Sequence, residues 1–387
     1  MKPGGAAMAP LATYKCLHER PKMSDAQREA ISRASNPQNT LSELLAQLLM
    51  ARGPGGQEDE VREICLRTIT PLCDETWVDA AGNVIGLIKG KRKVTESRGA
   101  VRVMAHMDEI AMVVKSVNED GTLRVIALGG ANPVNFGMCP VDILGDNEII
   151  PGVLSFGSMH ATQNAPQGAD VLSGDVHWND VHVITRYSPP VLRTPGVRPG
   201  TRVVLSRHWR EPFRVGDAIA AHFLDDRAPL AAIIDAAQQL SHRRDELACD
   251  VYFVFTTSEE ESNAGAMFAS ASLPGETTVA VEVGPVMDEY GTKLSVDPII
   301  NTGDEKGYYT RDIVTALAAA AESCGYSPQY ALLVDFASDA SAVLGNGSSA
   351  RAGCVAIPTE NTHGYELILD GAVRACSATL CEYLMTC

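Results

Sequence analysis

The chain contains the stretch Val101-Arg102-Val103-Met104-Ala105-His106-Met107-Asp108-Glu109, in which a short apolar run ends at a histidine followed by two acids. Three further apolar runs lead to possible metal ligands in the same way. They are Val251 to Phe255 before Glu259-Glu260-Glu261, Val279 to Val281 before Glu282, and Cys354 to Ile357 before His363. Because open α/β sheets bind ligands beyond the carboxyl ends of their strands, these runs predict four strands that bring nitrogen and oxygen donors to one crevice. We therefore expect a metal site at this edge of a sheet.

The composition indicates a large anionic protein. Its 387 residues are 45% hydrophobic, which is enough for a sizeable core and exceeds the usual size of one domain. A net charge of -16 would repel nucleic acids and anionic membrane surfaces, so we expect neither as a partner. The sequence has no apolar run of about twenty residues, as a membrane span would need. Ten scattered cysteines without a CxxC pair are typical of reduced thiols, and we expect a cytoplasmic location.

Changes in residue pattern along the chain predict one domain split around another. Residues 1–38 mix Pro, Gly, Ala and charge without periodicity, which is typical of a disordered extension. Residues 39–114 and 215–387 combine helical periodicity with apolar runs, as in an α/β domain. Residues 115–214 have short β-like runs with frequent Gly and Pro, and they predict an inserted all-β domain.

Local patterns place individual helices and strands within these segments. Helical patterns begin near Thr40 and cover Glu58 to Thr68, Pro229 to Leu240 and Arg311 to Ser323. The β-like runs of the insertion are Thr122 to Ala127, Pro140 to Leu144, Val181 to Tyr187 and Thr201 to Leu205.

His106 and Asp108 form a candidate metal-ligand pair. Their two-residue spacing places both side chains on one face of an extended segment, where the carboxylate can accept the spare N–H of the imidazole. That hydrogen bond would hold the tautomer that a metal ion requires. The alternative is a histidine at a strand end that is hydrogen-bonded to a local acid.

Asp225 is a candidate bridging ligand. It precedes Ala228-Pro229, and since proline is tolerated in the first helical turn, we expect Asp225 at the mouth of a helix. A carboxylate there can bind two cations through its two oxygens. The alternative is a helix N-cap followed by an ion pair between an aspartate and Arg227.

The remaining candidates are the acids Glu259-Glu260-Glu261, Glu282 and the imidazole of His363. At a strand end, one acid can bind a metal while its neighbour contacts a metal-bound water, although solvated acids at a helix start are the alternative. Glu282 and His363 are weak signals individually. Three of the carboxylates, from Asp225, Glu260 and Glu282, would with a hydroxide balance two divalent cations. His106 and His363 would complete shells typical of zinc.

Seven short motifs occur in order over about residues 40–385. They are Gly53-Pro54-Gly55-Gly56-Gln57-Glu58, Asp79-Ala80-Ala81-Gly82-Asn83, His106-Met107-Asp108-Glu109, Gly129-Gly130, Asp225-Asp226-Arg227, Glu259-Glu260 and His363-Gly364-Tyr365-Glu366. In this order they resemble the dinuclear metallo-aminopeptidases of metallopeptidase family 42, which include glutamyl and deblocking aminopeptidases and assemble as tetrahedral particles. The resemblance implies a zinc-peptidase-like mixed sheet flanked by helices, with an inserted small all-β domain, PDZ-like or a barrel, that is used for dimerisation.

The same resemblance implies a ligand set for two divalent metals. One metal would be held by His106, Asp225 and Glu282. The other would be held by Asp225, Glu260 and His363, so that Asp225 is the bridge. Zinc is the expected metal, with cobalt and manganese as alternatives.

The implied reaction is hydrolysis of the N-terminal amide bond of short peptides by a metal-bridging water. Glu259 would be the general base that takes the proton and returns it to the leaving amine. Asp108 would be the carboxylate behind the histidine ligand. Expected partners are peptide substrates and further copies of the chain, with a dimer as the building block and a dodecamer as the particle that the family suggests.

Departures from the family pattern leave substrate and metal preference open. Glu282 stands where many members have Asp, Glu261-Ser262 replaces a small apolar residue and glycine, and Asn361-Thr362 replaces an Arg-Tyr pattern. Alternative functions are a related di-metal amidase or carboxypeptidase acting on acylated amino acids, and a catalytically silent assembly protein. A glycosidase is disfavoured, because adjacent acids cannot easily lie about 5 Å or more apart across a sugar bond.

Overall fold

The computed structural model describes residues 37–91, 99–158 and 176–386, so most of the predicted disordered extension at 1–38 lies outside the described residues. The helices in these ranges are α1 (Pro37–Met50), α2 (Asp59–Ile69), α3 (Pro133–Phe136), α4 (Pro189–Leu192), α5 (Leu224–Ser241), α6 (Glu259–Ser262), α7 (Ala264–Ser272), α8 (Arg311–Ser323), α9 (Asp339–Gly345) and α10 (Ala372–Met385). The strands are β1 (Glu75–Val78), β2 (Val84–Ile88), β3 (Val101–His106), β4 (Ala111–Val117), β5 (Leu123–Leu128), β6 (Cys139–Leu144), β7 (Ile149–Ser155), β8 (His182–Ile184), β9 (Arg202–Leu205), β10 (Phe213–Val215), β11 (Ala218–Ala221), β12 (Val251–Thr256), β13 (Thr277–Pro285), β14 (Ile299–Asp304), β15 (Gly307–Tyr308), β16 (Gln329–Leu333), β17 (Arg351–Thr359) and β18 (Glu366–Leu369).

A mixed sheet of nine strands carries the four apolar runs. Its strand order is β1-β2-β12-β3-β13-β17-β14-β15, and β16 pairs with β14. The central strands β12, β3, β13 and β17 are mutually parallel. Their residues are buried almost throughout, which is why they are nearly continuous apolar runs in the sequence. The prediction of four strands in an α/β sheet is confirmed.

The sheet opens into a crevice beside β3. The next parallel strand along the chain, β12, lies on one side of β3, and the following strand, β13, lies on the other. Pairing of β3 with β13 ends at Met104 and Ala280, two residues before His106 and Glu282. In open α/β sheets, ligands bind where two successive strands lie on opposite sides of an earlier strand, as β12 and β13 do here. The fold therefore places both side chains at the expected site.

Helices cover both faces of this sheet. Side chains of β3 alternate between the faces, so Val103 and Ala105 join the core beside α5 and α10, whereas Met104 joins a smaller core beside α7 and α9. Helix α5 is longer than the predicted span Pro229 to Leu240. A first turn with non-helical backbone at Asp225 and Asp226 precedes the proline and is continuous with the helix.

Six antiparallel strands between β3 and β10 close into a small barrel, in the order β4-β5-β8-β7-β6-β9. Along β6 the buried residues Cys139, Val141 and Ile143 alternate with half-buried ones, as the wall of a barrel requires. The predicted small all-β barrel is confirmed. The run from Val181 to Tyr187 is strand only over His182–Ile184, because Arg186 has a φ of 61° and interrupts the extended backbone. Strands β10, β11 and β18 form a separate three-stranded sheet.

The cysteines in the described residues are free thiols, and most of them are buried. Among the described residues, none of the helices combines the length and the apolar character that crossing a membrane requires. The cytoplasmic location stays a prediction.

Candidate metal centre

His106 is the focus of the crevice. It is the last residue of β3, and its ring is buried. Its Nε2 lies 3.0 Å from Oδ1 of Asp225 and 4.0 Å from Oε2 of both Glu259 and Glu282. These carboxylates come from the mouth of α5, from α6 and from β13. Four distant parts of the chain thus meet at one imidazole nitrogen.

Asp225 lies between the two candidate histidines, and its peptide bond to Asp226 is cis. Its Oδ1 lies 3.0 Å from Nε2 of His106, and its Oδ2 lies 3.5 Å from Nε2 of His363. Each carboxylate oxygen therefore faces a different imidazole. A ligand that bridges two cations requires this arrangement.

The candidate ligands fall into two groups that share Asp225, and within each group the ligand atoms all lie within 4.8 Å of one another. The first group consists of His106, Asp225, Asp226 and Glu282, and the second of Asp225, Glu260 and His363. The structure thus brings together all five side chains predicted as ligands. Asp226 is an addition that the sequence-based interpretation missed, since neighbouring residues usually point to opposite sides.

Glu259 and Glu260 lie on α6, a single helical turn that follows β12, and their side chains point to different parts of the site. Oε2 of Glu260 lies 3.8 Å from Nε2 of His363, whereas Oε2 of Glu259 lies 4.0 Å from Nε2 of His106. Glu260 belongs to the second ligand group, and Glu259 belongs to neither group. The two adjacent acids are therefore available for different tasks.

Asp108 holds this acidic turn in place. Its buried carboxylate accepts the main-chain N–H of Glu259 at 2.9 Å and that of Glu260 at 3.1 Å. Nδ1 of His106 lies 3.1 Å from the main-chain oxygen of Asp108 and 3.6 Å from its carboxylate. The arrangement differs from the expected one, because the carboxylate mainly orients the acids and the main-chain oxygen is the nearer partner of the imidazole.

The charge of the cluster fits a divalent cation. Oδ1 of Asp226 is buried without a hydrogen-bond partner among the described residues. Burial and neighbouring carboxylates raise the pKa of Glu282 well above its ordinary value and that of Glu260 to about 7. Burial lowers the pKa of His106, but the charge of Asp226 and hydrogen bonds to further carboxylates outweigh it and raise that pKa. Such an excess of buried negative charge, supplied by oxygen and imidazole donors, suits zinc and similar metals.

Comparison with known proteins places these residues in a family. The sequence profile of the M42 glutamyl aminopeptidases matches residues 82–378, a range that contains every candidate ligand. The chain belongs to this family. The resemblance found in the sequence is thereby confirmed, and the protein is a peptidase of the metal-dependent aminopeptidase class.

Individual relatives agree with the M42 assignment. The lysyl aminopeptidase of Pyrococcus furiosus is 28% identical over 273 residues, which are 67% of this chain and 74% of that protein. The TET aminopeptidase of Thaumarchaeota archaeon has a TM-score of 0.79 at 22% identity, covering 89% of this chain and 95% of that chain. The Pyrococcus horikoshii TET1 peptidase, which can assemble into a tetrahedron or a large octahedral shell, has a TM-score of 0.75 at 23% identity over 88% of this chain and 98% of that one. These structures show that the M42 chain has the TET aminopeptidase fold.

Two glycines of the M42 chain allow the second ligand group to form. A Cβ atom on Gly130 would lie 2.9 Å from Cε1 of His363, and one on Gly129 would lie 2.9 Å from Cβ of Glu260. Gly129 also has a φ of 74°, which side chains rarely adopt. The close approach of the ligand side chains therefore explains the Gly129-Gly130 motif at the end of β5.

Glu366 holds two proposed ligands of this peptidase through their main chain. Its Oε2 accepts the N–H of Asp225 at 3.2 Å, and its Oε1 accepts the N–H of His363 at 3.3 Å. One buried carboxylate thus links the first turn of α5 to the loop before β18. The motif containing Glu366 was recognised in the sequence, but its role was not.

A buried ion triad lies behind the ligands. Glu109 accepts hydrogen bonds from Arg210 and Arg227, and all three side chains are fully buried. Arg227 also donates to the main-chain oxygen of Met107. The alternative of an Asp225 N-cap followed by an aspartate-Arg227 pair is therefore wrong, since α5 has no side-chain cap hydrogen bond and the ion-pair partner of Arg227 is Glu109. The triad ties the segment after the barrel to the segments that carry His106 and Asp225.

A cavity of about 710 Å³ opens over the ligands. Its wall beyond the two ligand groups and Glu259 includes apolar side chains such as Tyr290 and Phe336. The charged residues of that outer wall are Glu261, Glu289, Glu305, Asp335 and Lys306. The ammonium of Lys306 lies 2.6 Å from the carboxylate of Glu305, so negative charge is in excess.

Proposed function

We propose that the protein is a dinuclear aminopeptidase that removes the N-terminal residue of short peptides, with Glu259 as the general base. The position of Asp225 is the main support, because each of its oxygens faces a different histidine and it belongs to both ligand groups. Glu259 belongs to neither group and lines the cavity, and its Oε2 faces the cluster, which leaves that oxygen available for proton transfer.

His106, Asp225 and Glu282 would hold one divalent ion, and Asp225, Glu260 and His363 would hold the other. Zinc suits these imidazole and carboxylate donors best, with cobalt and manganese as alternatives. When bound, the two cations would polarise the scissile carbonyl and lower the pKa of the attacking water. A carboxylate oxygen of Asp226 also lies within 4.8 Å of the ligand atoms of the first group, so Asp226 would add a further carboxylate to that site.

The role of Glu259 follows from its position and its environment. Burial raises the pKa of its carboxyl group well above the ordinary value, which suits a group that must both take and return a proton. Oε2, which faces the cluster, would accept a proton from water as the hydroxyl oxygen bonds to the carbonyl carbon. The same proton would pass to the peptide nitrogen as the carbon-nitrogen bond breaks, so that a free amine leaves.

We propose that N-terminal residues with cationic side chains are preferred substrates. The outer wall of the cavity carries four carboxylates against one ammonium, and that ammonium is already paired. The related P. furiosus protein bears the name lysyl aminopeptidase, in keeping with this preference. Turnover of lysyl and glutamyl p-nitroanilides tests it, and the lysyl preference should weaken as salt screens the carboxylates. A faster glutamyl substrate would contradict it.

We further propose that residues 39–114 and 215–387 form the catalytic domain and that residues 115–214 form an inserted dimerisation domain. Ile149 and Val153 on β7 are large apolar side chains with 43% and 47% of their surface exposed, which an interface between two copies would cover. Dimers would then build a larger particle, as in the TET1 peptidase. Light scattering of the protein and of Val153→Glu tests this, because a monomeric parent protein would refute it.

Glu259→Gln tests the catalytic proposal. The variant should retain two metal ions per chain and lose about 10²- to 10⁴-fold in kcat, since it keeps the shape of the side chain but cannot accept the proton. Glu119→Gln, at an exposed turn of the barrel, is the control and should behave as wild type. Wild-type turnover by Glu259→Gln would refute the assigned role.

A substrate panel separates the remaining alternatives. Zinc-, cobalt- and manganese-loaded protein should cleave aminoacyl substrates with a free amino group and leave N-acylated and carboxy-terminal substrates intact. Cleavage of the acylated substrates alone would favour the amidase or carboxypeptidase. Bound metal without any turnover would favour a silent assembly protein.

A further inference from the structure

Asn263 joins two carboxylates beside the metal centre, those of the half-buried Glu259 and the buried Asp339. It lies between α6 and α7 and is buried, and its backbone is left-handed with a φ of 53°. Its Nδ2 donates to Oε1 of Glu259 at 2.7 Å and to Oδ1 of Asp339 at 3.2 Å. Both N–H bonds of a single amide nitrogen are therefore used by acids.

We propose that Asn263 is a positioning residue for the general base and that Asp339 sets the orientation of the Asn263 amide. The inference rests on the role proposed above for Glu259. It adds two residues that lie outside both ligand groups, and it assigns a task to each of them.

The hydrogen bond to Glu259 decides which oxygen faces the cluster. Because Oε1 is occupied by Asn263, Oε2 is the oxygen directed to the metal centre, 4.0 Å from Nε2 of His106. A glutamate has three rotatable side-chain bonds and would otherwise adopt several rotamers. A hydrogen bond to an ionised acceptor is about twice as strong as one between neutral groups, so the amide is well suited to hold one rotamer.

Asp339 is needed because the side-chain amide of Asn263 has two possible orientations, in which its oxygen and nitrogen exchange places. A turned amide would direct the Asn263 oxygen at two carboxylates, which accept hydrogen bonds when ionised and cannot donate to it. Asp339 is itself fixed, since it begins α9 and its Oδ2 accepts the hydroxyl of Thr256 at 2.5 Å. Thr256 is the last residue of β12. A chain of hydrogen bonds thus runs from Thr256 through Asp339 and Asn263 to Glu259, and it fixes the base relative to the end of β12.

Asn263 also has a backbone role, because its left-handed conformation ends α6 and its N–H donates to the main-chain oxygen of Glu259 at 3.1 Å. Two variants separate this role from that of the amide. Asn263→Gly keeps the left-handed backbone and removes the amide. Asn263→Asp also tolerates that backbone, but it replaces the donor by a carboxylate directed at Glu259.

With zinc-loaded protein and lysine p-nitroanilide, Asn263→Gly should lose about 10- to 100-fold in kcat, the range expected for one hydrogen bond to a charged group. The KM and the two-metal stoichiometry should stay close to wild type. The unfolding midpoint should fall somewhat, because the buried Oδ1 of Asp339 loses the hydrogen bond from Asn263. Asn263→Asp should lose at least as much turnover. Asn346→Gly, the same substitution at the end of α9 and outside the site, is the control and should leave all four measurements unchanged.

Asp339→Leu tests the role of Asp339, because leucine has a similar size and can neither accept nor donate a hydrogen bond. Nδ2 of Asn263 then loses the acceptor of its second N–H, so that Glu259 alone holds the amide. We expect a clear loss in kcat, no larger than that of Asn263→Gly, and a double variant no slower than Asn263→Gly itself. Additive losses would overturn the role given to Asp339.

The remaining outcomes distinguish this inference from the proposal on which it rests. Wild-type kcat in Asn263→Gly, beside an inactive Glu259→Gln, would overturn the role of Asn263 alone. A loss of metal together with turnover in Asn263→Gly would also overturn it, because the residue would then support the fold of the site rather than the base. A fully active Glu259→Gln would overturn both.

Discussion

Replacement of Gly130 by alanine should weaken one of the two proposed metal sites without unfolding the protein. The added Cβ would lie 2.9 Å from Cε1 and 3.2 Å from Nδ1 of His363, whereas ordinary contacts begin at 3.4 Å. The imidazole must therefore move by about 0.5 Å, the difference between 3.4 and 2.9 Å. Metal-ligand distances tolerate only about ±0.2 Å. Since the displaced atoms lie at the free end of a partly exposed side chain, the fold itself can accommodate the change.

We expect the affinity of the second ligand group for zinc to fall by about 10- to 100-fold, as when the support of a metal ligand is removed. The first group, which does not include His363, should keep its ion. Equilibrium dialysis with metal analysis by mass spectrometry measures the zinc affinity of both groups. Activity at limiting zinc should fall as the second group loses its ion. Gly345→Ala is the control, because its added Cβ meets nothing within 4 Å and its φ is not positive. If Gly130→Ala bound two zinc ions as tightly as wild type, His363 would not be a ligand.

Two further predictions concern stability. Chelator-treated protein should lose stability as the pH rises from about 5 to about 8. Burial and the charge of Asp225 raise the pKa of Glu260 from 4.5 to about 7 and that of Glu366 from 4.5 to about 8. Their stabilising contribution is therefore complete below pH 4.5 and is lost as the pH passes through these raised values. A thermal midpoint that stays constant or rises over this range would contradict the reasoning, and zinc should weaken the trend. Glu109→Gln should lower the free energy of unfolding by about 3–5 kcal/mol, because it removes the charge that Arg210 and Arg227 share inside the protein. Urea unfolding measures this loss. The control is Asp146→Asn, at the exposed ion pair with Arg198, which should leave the free energy of unfolding unchanged. An equally small effect of Glu109→Gln would show that the buried triad contributes little to stability.

The parts of the fold that repeat a simple physical pattern could be predicted. Parallel strands buried on both faces must be apolar, which is why β3, β12, β13 and β17 could be recognised. The ligand candidates followed from their places after these strands and from the order of the motifs. The barrel strands followed from short β-like runs between turns, with errors where a single left-handed residue such as Arg186 interrupts the strand.

Contacts between residues far apart in the sequence could not be predicted. Asn263 and Asp339 are 76 residues apart, and Glu109 and Arg210 are 101 apart, so no local spacing reveals either pair. The structural roles of some local motifs could not be predicted either. Asn83 of the Asp79–Asn83 turn accepts the N–H of Thr257 at 3.0 Å and so supports the chain just before Glu259, a role that only the tertiary structure reveals.

The order in which the proposed ligands leave the ribosome follows from their places in the chain. His106 emerges with the end of β3, whereas His363 emerges only after β17. A growing polypeptide therefore contains the first imidazole well before it contains the second one and the sheet strand that precedes it. A chain that ends before His363 would lack one ligand of the proposed second site, so the proposed pair of sites would depend on translation past β17.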